Sequence, residues 1–215
     1  METETVRTNK RGRRSQEEIL DAAARVMAAR GYAGTSISVV SAESGLPKSA
    51  IYHHFHSKGG LLSAVMARGL DDFFEAMRTS QADPPAGGTH RDRLRWFLER
   101  TAEVFAERAD FLRLHILLLL SEEADETEVA EILGRVRADG RVRMNQMIRT
   151  AFADEGEDIA AQVADRLDYF GVAGFDGAFI AANAEASRTV ASQMEQLGDA
   201  IAALGEAIVS SLRDD

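Results

Sequence analysis

The sequence of 215 residues contains no cysteine, which excludes disulfide bonds, thiolate metal ligands and a cysteine nucleophile. It has three prolines and many alanines, a composition that favours helices over strands. The first residues lack the apolar core of a signal peptide, and the longest unbroken aliphatic run, residues 116–120, is far shorter than the ~20 residues of a membrane-spanning helix. We therefore expect an all-α, soluble and cytoplasmic protein without a membrane partner.

Sequence motifs of enzymes are also missing. The chain has no glycine-rich phosphate loop, no metal-ligand spacing and no nucleophile elbow, so we expect no catalytic residue, no cofactor and no metal. His53 and His54 are neighbours that diverge by ~100° on a helix, and no cysteine or regularly spaced carboxylate accompanies them or His56. Phosphate contact or plain solvation explains these histidines better than a metal site.

Charge is distributed unevenly along the chain. The formal net charge of −10 argues at first against a nucleic-acid partner. However, residues 1–58 hold nine Lys/Arg and six Asp/Glu, a net charge of +3, whereas residues 59–215 hold sixteen and twenty-nine, a net charge of −13. Attraction to DNA depends on the local field of a basic face rather than on the sum over the chain. Only the N-terminal part can therefore approach DNA.

Residues 35–62 follow the pattern of a short helix, a glycine turn, a second short helix and the capped start of a third. Gly45 stands where the two short helices meet at a steep angle, a position that favours a residue able to reach positive φ. Pro47 is expected in the first turn of the second of these helices, and Ser57 caps the next. Hydrogen-bond donors suited to phosphates or base edges occupy the outward positions: Lys48, Ser49, Tyr52, His53 and His54. The pattern predicts a DNA-binding helix-turn-helix; the alternative is a helical hairpin with a solvated outer face.

The chain divides into three predicted regions. Residues 1–14 form a flexible basic arm that either enters a minor groove or remains a solvated tail. Residues 15–60 form a three-helix helix-turn-helix DNA-binding domain, whose first helix begins at a capping box of Ser15 and Glu18. Residues 61–215 form a larger helical domain for ligand binding and dimerisation, which brings the total to about nine helices.

Two C-terminal helices have the character of a dimer interface. The last carries a near-heptad seam with spacings of 4, 3, 4, 3 and 4: Val190, Met194, Leu197, Ile201, Leu204 and Ile208. The preceding helix has a face of small residues: Gly171, Gly174, Ala178 and Ala182. We expect both helices to pair with those of a second copy; the alternative is that the last helix packs on its own domain. Residues 110–120, apolar almost all round, are expected to lie buried in this second domain.

The letters LPKSAIYHHFHSKGGLL at residues 46–62 closely resemble the recognition-helix signature of the TetR (tetracycline repressor) family of bacterial transcription regulators. The resemblance covers residues 15–62, and beyond them only the number of helices is similar. It implies three groups of DNA contacts: phosphates for Tyr52, His53, His54 and Lys58; base edges for Lys48, Ser49 and Ala50; and the flanking backbone for Thr35, Ser36 and Ser38.

Two departures from the family pattern stand out. Ser38 occupies a position where many members have arginine, which puts a DNA contact there in doubt. Gly59 and Gly60 replace acidic and helix-favouring residues, and glycine in a helix costs about 1 kcal/mol relative to alanine. Our hypothesis is that these glycines loosen the junction between the two domains.

The resemblance also implies a small-molecule pocket in the larger domain, where apolar side chains with a few polar groups would form the usual lining. The apolar candidates are Trp96, Phe97, Phe105, Phe111, Met144, Met147 and Phe175, each of which is otherwise simple core. The polar candidates are Arg113, His115, Asn145 and Asp176, and Asp176 is otherwise structural.

Together these features predict a homodimeric, ligand-responsive repressor that a small-molecule effector releases from a palindromic, double-stranded DNA operator. One alternative keeps the DNA-binding end and gives the larger domain only a dimerisation or protein-binding role. An enzyme is a second and much weaker alternative. Activation instead of repression also stays open, because polarity depends on where the operator lies.

Overall fold

The computed structural model describes residues 2–122, 127–185 and 187–214. The helices in these residues are α1 (Glu2–Arg30), α2 (Ile37–Ser44), α3 (Lys48–Phe55), α4 (Lys58–Ser80), α5 (His90–Glu107), α6 (Ala109–Leu119), α7 (Thr127–Ala151), α8 (Glu157–Ala184) and α9 (Val190–Asp214). A short 3-10 turn, Ala153–Glu155, precedes α8. The described residues contain no strand, and the predicted all-α fold of about nine helices is confirmed. No helix among them is long and apolar enough to span a bilayer.

The described chain folds into two compact units. The N-terminal unit contains the residues up to Asp72 and those between Arg108 and Gly134. The C-terminal unit contains Phe73–Glu107 and the residues from Arg135 onward. Each unit is therefore built from two separate segments of the chain. The prediction instead divided the chain once, at residue 60.

The core of the N-terminal unit lies where α1 packs against α2 and α3. It consists of fully or almost fully buried apolar side chains: Ile19, Ala23, Met27, Val40, Ile51 and Phe55. Ion pairs join the helices at the surface, with Arg25 3.2 Å from Glu43 of α2 and Arg68 of α4 2.8 Å from Asp21. Burial of apolar area is the main stabilising term here, since exposed ion pairs contribute ~0–1 kcal/mol each.

The first helix begins at Glu2 and not at Ser15. The capping-box prediction at Ser15 is therefore wrong, and the arm predicted at residues 1–14 is helical from residue 2. No proline interrupts these residues, and an i,i+4 pair of Arg14 with Glu18, 2.9 Å apart, supports helix across the expected start. Helix propensity and this pair outweigh the capping preference of Ser15.

The apolar helix α6 belongs to the N-terminal unit, contrary to the prediction that it lies buried in the second domain. It packs against α1. The ring of Phe111 lies so close to the Cα of Gly69 in α4 that a Cβ there would collide with it. Leu117 of α6 and Leu120, which caps the end of the helix, are exposed, so the apolar composition of this segment does not correspond to complete burial.

In the C-terminal unit α9 packs against α5 and α8. Met194, Leu197 and Ile201, three members of the near-heptad seam, are buried within this unit. The small-residue face of α8 is also turned inward: a Cβ at Gly171 would collide with Met144 of α7, and one at Gly174 would collide with Leu197. These parts of the two faces are therefore covered by the same chain, whereas Leu204 of the seam is 44% exposed. Pairing of the two helices with a second copy stays a prediction.

Candidate nucleic-acid interface

The turn between α2 and α3 is fixed by glycine and serine. Gly45 has φ 69°, a left-handed conformation that other residues adopt at a cost. The Ser41 hydroxyl donates a 2.7 Å hydrogen bond to the carbonyl of Leu46, whose own N–H donates to Ser44 Oγ at 3.3 Å. At the other end of α2 the N–H of Val39 donates to Ser36 Oγ, the helix cap. These bonds set the angle at which α3 leaves α2.

Helix α3 separates an inner from an outer face. Ile51 and Phe55 are buried on the inner face. The outer face exposes Lys48, Ser49, Tyr52 and His53, while Ala50 and His54 are half-buried. Tyr52 is 51% exposed, which leaves a large aromatic side chain at the surface. Eight residues at a rise of ~1.5 Å give a rod of ~12 Å, which fits the width of a major groove.

Pro47 is the N-cap residue of α3 and lies just outside the helix, one residue earlier than predicted. At the other end His56 adopts φ 63° and donates its N–H to the carbonyl of Tyr52. The predicted capping role of Ser57 is confirmed: its Oγ accepts the N–H of Gly60 at 2.8 Å. A Cβ at Gly60 would collide with the carbonyl oxygen of Phe55, so glycine is required by close approach. This contact gives Gly60 a local packing role that the sequence did not indicate.

Lys58 is held at the start of α4 by an aromatic ring. Its Nζ lies 4.1 Å from the centroid of Tyr32, in the segment between α1 and α2. A cation–π contact of this kind orients the ammonium group without neutralising its charge. Tyr32 is therefore a residue of this surface that was not predicted, because its contact with Lys58 exists only in the folded unit.

The residues predicted to contact the flanking DNA backbone differ in accessibility. Ser36 and Ser38 are exposed. Thr35 is 3% exposed, and its hydroxyl donates a 2.8 Å hydrogen bond to the carbonyl of Gly31. The predicted contact by the Thr35 side chain is thus corrected: the side chain closes the end of α1 instead of facing outward.

The two neighbouring histidines of α3 meet edge to face, with ring centroids 5.3 Å apart. In residues 2–122, 127–185 and 187–214 no group of three or more His, Cys, Asp or Glu side chains is arranged to hold a metal ion. His53 and His54 thus contribute donors and ring surface to the outer face of α3.

Two of the four polar residues predicted to orient a ligand, Asn145 and Asp176, are engaged in contacts between α7 and α8. Asp176 of α8 pairs with Arg137 of α7. The Asn145 amide donates to Asp165 at 2.8 Å and to Asp168 at 3.3 Å, again joining α7 to α8. Both residues therefore hold two helices together, which is the structural alternative considered for Asp176.

The aromatic candidates are dispersed. Phe105 packs edge-on against Phe175, with centroids 5.5 Å apart, in the core of the C-terminal unit. Trp96 is covered by the guanidinium of Arg100, 3.9 Å from its ring. Phe111 and His115 stack on each other along α6 and belong to the N-terminal unit.

An open cleft of about 370 Å³ lies elsewhere in the C-terminal unit. Two of the apolar candidates, Phe97 and Met147, line it, and its charged residues, Arg78 and Arg143, were not predicted. The sequence signal available for Arg143 was the excess of arginine along α7, and Arg78, near the end of α4, had no such signal. Periodicity alone does not say which arginines face a cavity.

The folded α2–turn–α3 element, with its exposed donors and basic surroundings, defines a helix-turn-helix DNA-binding protein. Residues 19–65 match the model of the bacterial regulatory proteins, tetR family. The uncharacterized HTH-type transcriptional regulator YerO of Bacillus subtilis (strain 168) is 26% identical over 208 residues, 92% of this chain and 68% of that protein. The HTH-type transcriptional repressor KstR2 of Rhodococcus jostii (strain RHA1) is 35% identical over 71 residues, 33% of this chain and 34% of that repressor.

Among solved structures, a transcriptional regulator from Saccharomonospora viridis in complex with choline superposes with a TM-score of 0.67 at 21% identity, covering 86% of this chain and 94% of that one. The predicted resemblance to the TetR family is therefore confirmed, on the match of residues 19–65 to the family's model and on the similarity to these regulators. Because its relatives are regulators of transcription, the enzyme alternative is excluded.

Proposed function

We propose that this protein is a homodimeric repressor that binds a palindromic operator and responds to a small-molecule effector. The observation that carries the proposal is the exposed outer face of α3, which Gly45 and Ser41 present at a fixed angle. Base edges would be read from Lys48, Ser49 and Ala50, and phosphates would be bound by Tyr52, His53, His54 and Lys58, with Ser36 and Ser38 at the flanks. Such a regulator would act in the cytoplasm, where bacterial DNA lies.

An apolar stripe on α8 supports the homodimer. Tyr169, Ala173, Gly177 and Ile180 are exposed at spacings of 4, 4 and 3, and Phe170 lies beside them. Tyr169 is 68% exposed and Ile180 47% exposed, and a Cβ added at Gly177 would meet no atom within 4 Å. A contiguous apolar surface of this kind is costly in water, and near-heptad spacing with small residues suits helix pairing. We call these five residues the α8 stripe.

Dimerisation through the α8 stripe gives the DNA-binding end its symmetry. An isologous dimer presents two copies of α3 related by a two-fold axis. Such a pair fits half-sites in successive major grooves, roughly 34 Å apart, which is why the operator would be palindromic. Each protomer alone would bind a half-site with much lower affinity.

A small-molecule effector is supported by a relative and by a cavity. The structurally similar regulator from Saccharomonospora viridis was solved with choline, and the C-terminal unit of this chain contains an open cleft. A ligand that binds one conformation better than another shifts the population, and a coupling of ~1–3 kcal/mol makes a useful switch. Repression is supported by the repressor KstR2 among the relatives.

One observation favours a second candidate function. Because Asn145 and Asp176 are both engaged in contacts between α7 and α8, the C-terminal unit is also suited to dimerisation or to binding a protein partner without any effector. Operator affinity that stays constant across a broad panel of small molecules would support this alternative.

The proposed function is tested by selecting the preferred duplex of the full chain from a random pool. Binding is then followed by fluorescence anisotropy over a range of salt concentrations. We expect a palindromic consensus, a 2:1 ratio of chains to duplex, and affinity that falls steeply with salt because counterions are released. An enriched pool without two-fold symmetry, or affinity independent of salt, would contradict the proposal.

A further inference from the structure

The cleft of the C-terminal unit is formed by the end of α4, the segment after it, α5 and α7. Its volume is about 370 Å³, at the lower end for small-molecule sites. At about 30 Å³ for each water-sized group, it has room for roughly twelve non-hydrogen atoms. Nine residues line it: Arg78, Gln81, Ala82, Pro84, Phe97, Arg143, Gln146, Met147 and Thr150.

The charge of this lining has one sign. Arg78 and Arg143 are its charged members, and no carboxylate is among the nine residues. Glu75, which does not line the cleft, forms an ion pair with Arg78 and partly compensates its charge. Arg143 lies over the ring of Phe74, 4.3 Å from its centroid, which orients the guanidinium without cancelling its charge.

The surroundings of Arg143 also favour a negatively charged ligand. Partial removal from water lowers the pKa of its guanidinium, and the positive charge of Arg78 lowers it further, while Asp139 and Glu75 act in the opposite direction. The two guanidinium groups thus interact unfavourably with each other. An anion bound beside Arg143 would stabilise the charged guanidinium that partial burial disfavours.

The lining also contains apolar side chains, some of them buried. Phe97 and Met147 are buried, and Ala82 and Pro84 lie beside them in the lining. The amide of Gln81 donates to the carbonyl of Phe97 and to Thr101 Oγ1, both at 3.1 Å, which ties the end of α4 to α5. The cleft therefore combines a preformed apolar surface with two cationic groups.

We propose that this cleft binds a small amphipathic organic anion, with its apolar body against Phe97 and Met147 and its acidic group at Arg143 and Arg78. Arginine suits this task because its planar fork matches a carboxylate. The inference deepens the proposed effector response by naming the ligand class, and it rests on that function only for the coupling to DNA. Quaternary ammonium ions do not fit, since two like charges oppose them.

Three probes of equal chain length isolate the sign of the charge: octanoate, n-octanol and octylammonium. Each is titrated into the full chain without DNA, and heat release is measured by calorimetry. We expect octanoate to saturate one site per chain, n-octanol to bind at least tenfold more weakly, and octylammonium not to bind. Equal affinity for octanoate and n-octanol would overturn the assignment of an anion site.

Substitutions then locate the site. Arg143→Gln is expected to weaken octanoate binding at least tenfold and Arg143→Lys less, because the lysine keeps the charge. Gln146→Glu places a carboxylate at this exposed edge of the cleft and is expected to abolish binding. The matched control is Arg135→Gln, an exposed arginine of α7 that does not line the cleft, which should leave the dissociation constant unchanged within twofold.

Methyl NMR provides a readout that does not depend on the substitutions. The methyl signal of Met147 should shift on addition of octanoate, while that of Met194, buried against α5 and α8, should not. Octanoate binding that persists in Gln146→Glu, or that leaves the Met147 signal unmoved, would overturn the proposal. These measurements need no operator, so their failure is distinct from a failure of DNA binding.

Discussion

The ammonium group of Lys58 lies over the ring of Tyr32, 4.1 Å from its centroid. The contact joins the first residue of α4 to the segment that links α1 and α2. Because a ring attracts a cation without supplying a counter-charge, Lys58 keeps its full charge for a phosphate while losing much of its side-chain freedom. A fixed cation beside α3 is a more effective phosphate ligand than a mobile one.

This relationship predicts different outcomes for the two residues. Tyr32→Leu should weaken operator binding about two- to fivefold, the equivalent of ~0.5–1 kcal/mol, without changing the salt dependence. Lys58→Ala should weaken binding further and should reduce the slope of log K against log salt concentration by about one. Anisotropy titrations at four salt concentrations separate these outcomes, and a slope that changes equally in both variants would contradict the interpretation.

Two exposed residues of α3 should affect sequence readout differently. Tyr52→Ala should weaken binding to the selected duplex and to all its base variants alike, because its proposed contact is to phosphate. Lys48→Ala should relax the preference at one position of each half-site by ~1–3 kcal/mol, the value of a good base contact. The measurement is competition between base-substituted duplexes, with Arg135→Gln as the control; an unaltered ranking for Lys48→Ala would remove Lys48 from the readout.

The role of the left-handed backbone at Gly45 can be tested by substituting alanine for Gly45 and for a helical glycine, Gly140. Gly45→Ala should destabilise the fold by about 1–2 kcal/mol, because φ 69° places its Cβ in the unfavourable left-handed region although no neighbour obstructs it. Gly140→Ala, inside α7 and equally unobstructed, should stabilise the fold by up to ~1 kcal/mol. Urea unfolding gives both values; similar signs for the two substitutions would disprove the role of φ at Gly45.

The helix-turn-helix could be derived from sequence because its determinants are local. A left-handed turn at Gly45, the cap at Ser57 and the inward spacing of Ile51 and Phe55 all act within a few residues. The prediction for Thr35 was wrong for a related reason. Its position next to the start of α2 suggested that it caps this helix and that its side chain faces outward. Its hydroxyl instead bonds to Gly31, four residues earlier, at the end of the preceding helix.

Less of the C-terminal unit could be predicted from the sequence, because periodicity identifies an apolar face of a helix but not the element that packs against it. The α9 seam has the spacing of a dimer interface, yet Met194 and Ile201 pack on α5 and α8 of the same chain. The cleft depends on which of two neighbouring aromatic residues faces inward. Phe97 lines it, whereas Trp96 lies under Arg100, and a difference of ~100° around α5 decides between them.

The α8 stripe makes a prediction about assembly. Ile180→Glu should shift the protein from dimer to monomer, since a pair of buried carboxylates across a two-fold axis would be strongly unfavourable. Val142→Glu is the matched control, because Val142 is 68% exposed on α7 and lies outside the stripe. Sedimentation velocity at micromolar concentration distinguishes the two species. A dimer that survives Ile180→Glu and dissociates with Val142→Glu would place the interface on the other face.

The start of α5 predicts a dependence of stability on pH. The Thr89 N–H and hydroxyl both donate to the carboxylate of Asp92, at 2.9 and 2.7 Å, and these bonds lower the pKa of Asp92 below its ordinary value. A lowered carboxyl pKa contributes stability above the unfolded-state pKa, and this contribution is lost as pH falls through the folded-state pKa. The stability difference between wild type and Asp92→Asn should therefore be present at pH 7 and shrink below about pH 4.

Urea unfolding between pH 3 and pH 7 measures this difference. The control is Asp71→Asn, an exposed carboxylate inside α4, where no helix start supplies N–H donors. Its stability difference should change little over the same interval. If the Asp92→Asn difference grew on acidification, the hydrogen bonds from Thr89 would favour the protonated carboxyl group. The capping of α5 would then depend on the hydroxyl of Thr89 alone, which accepts the Asp92 N–H at 3.2 Å.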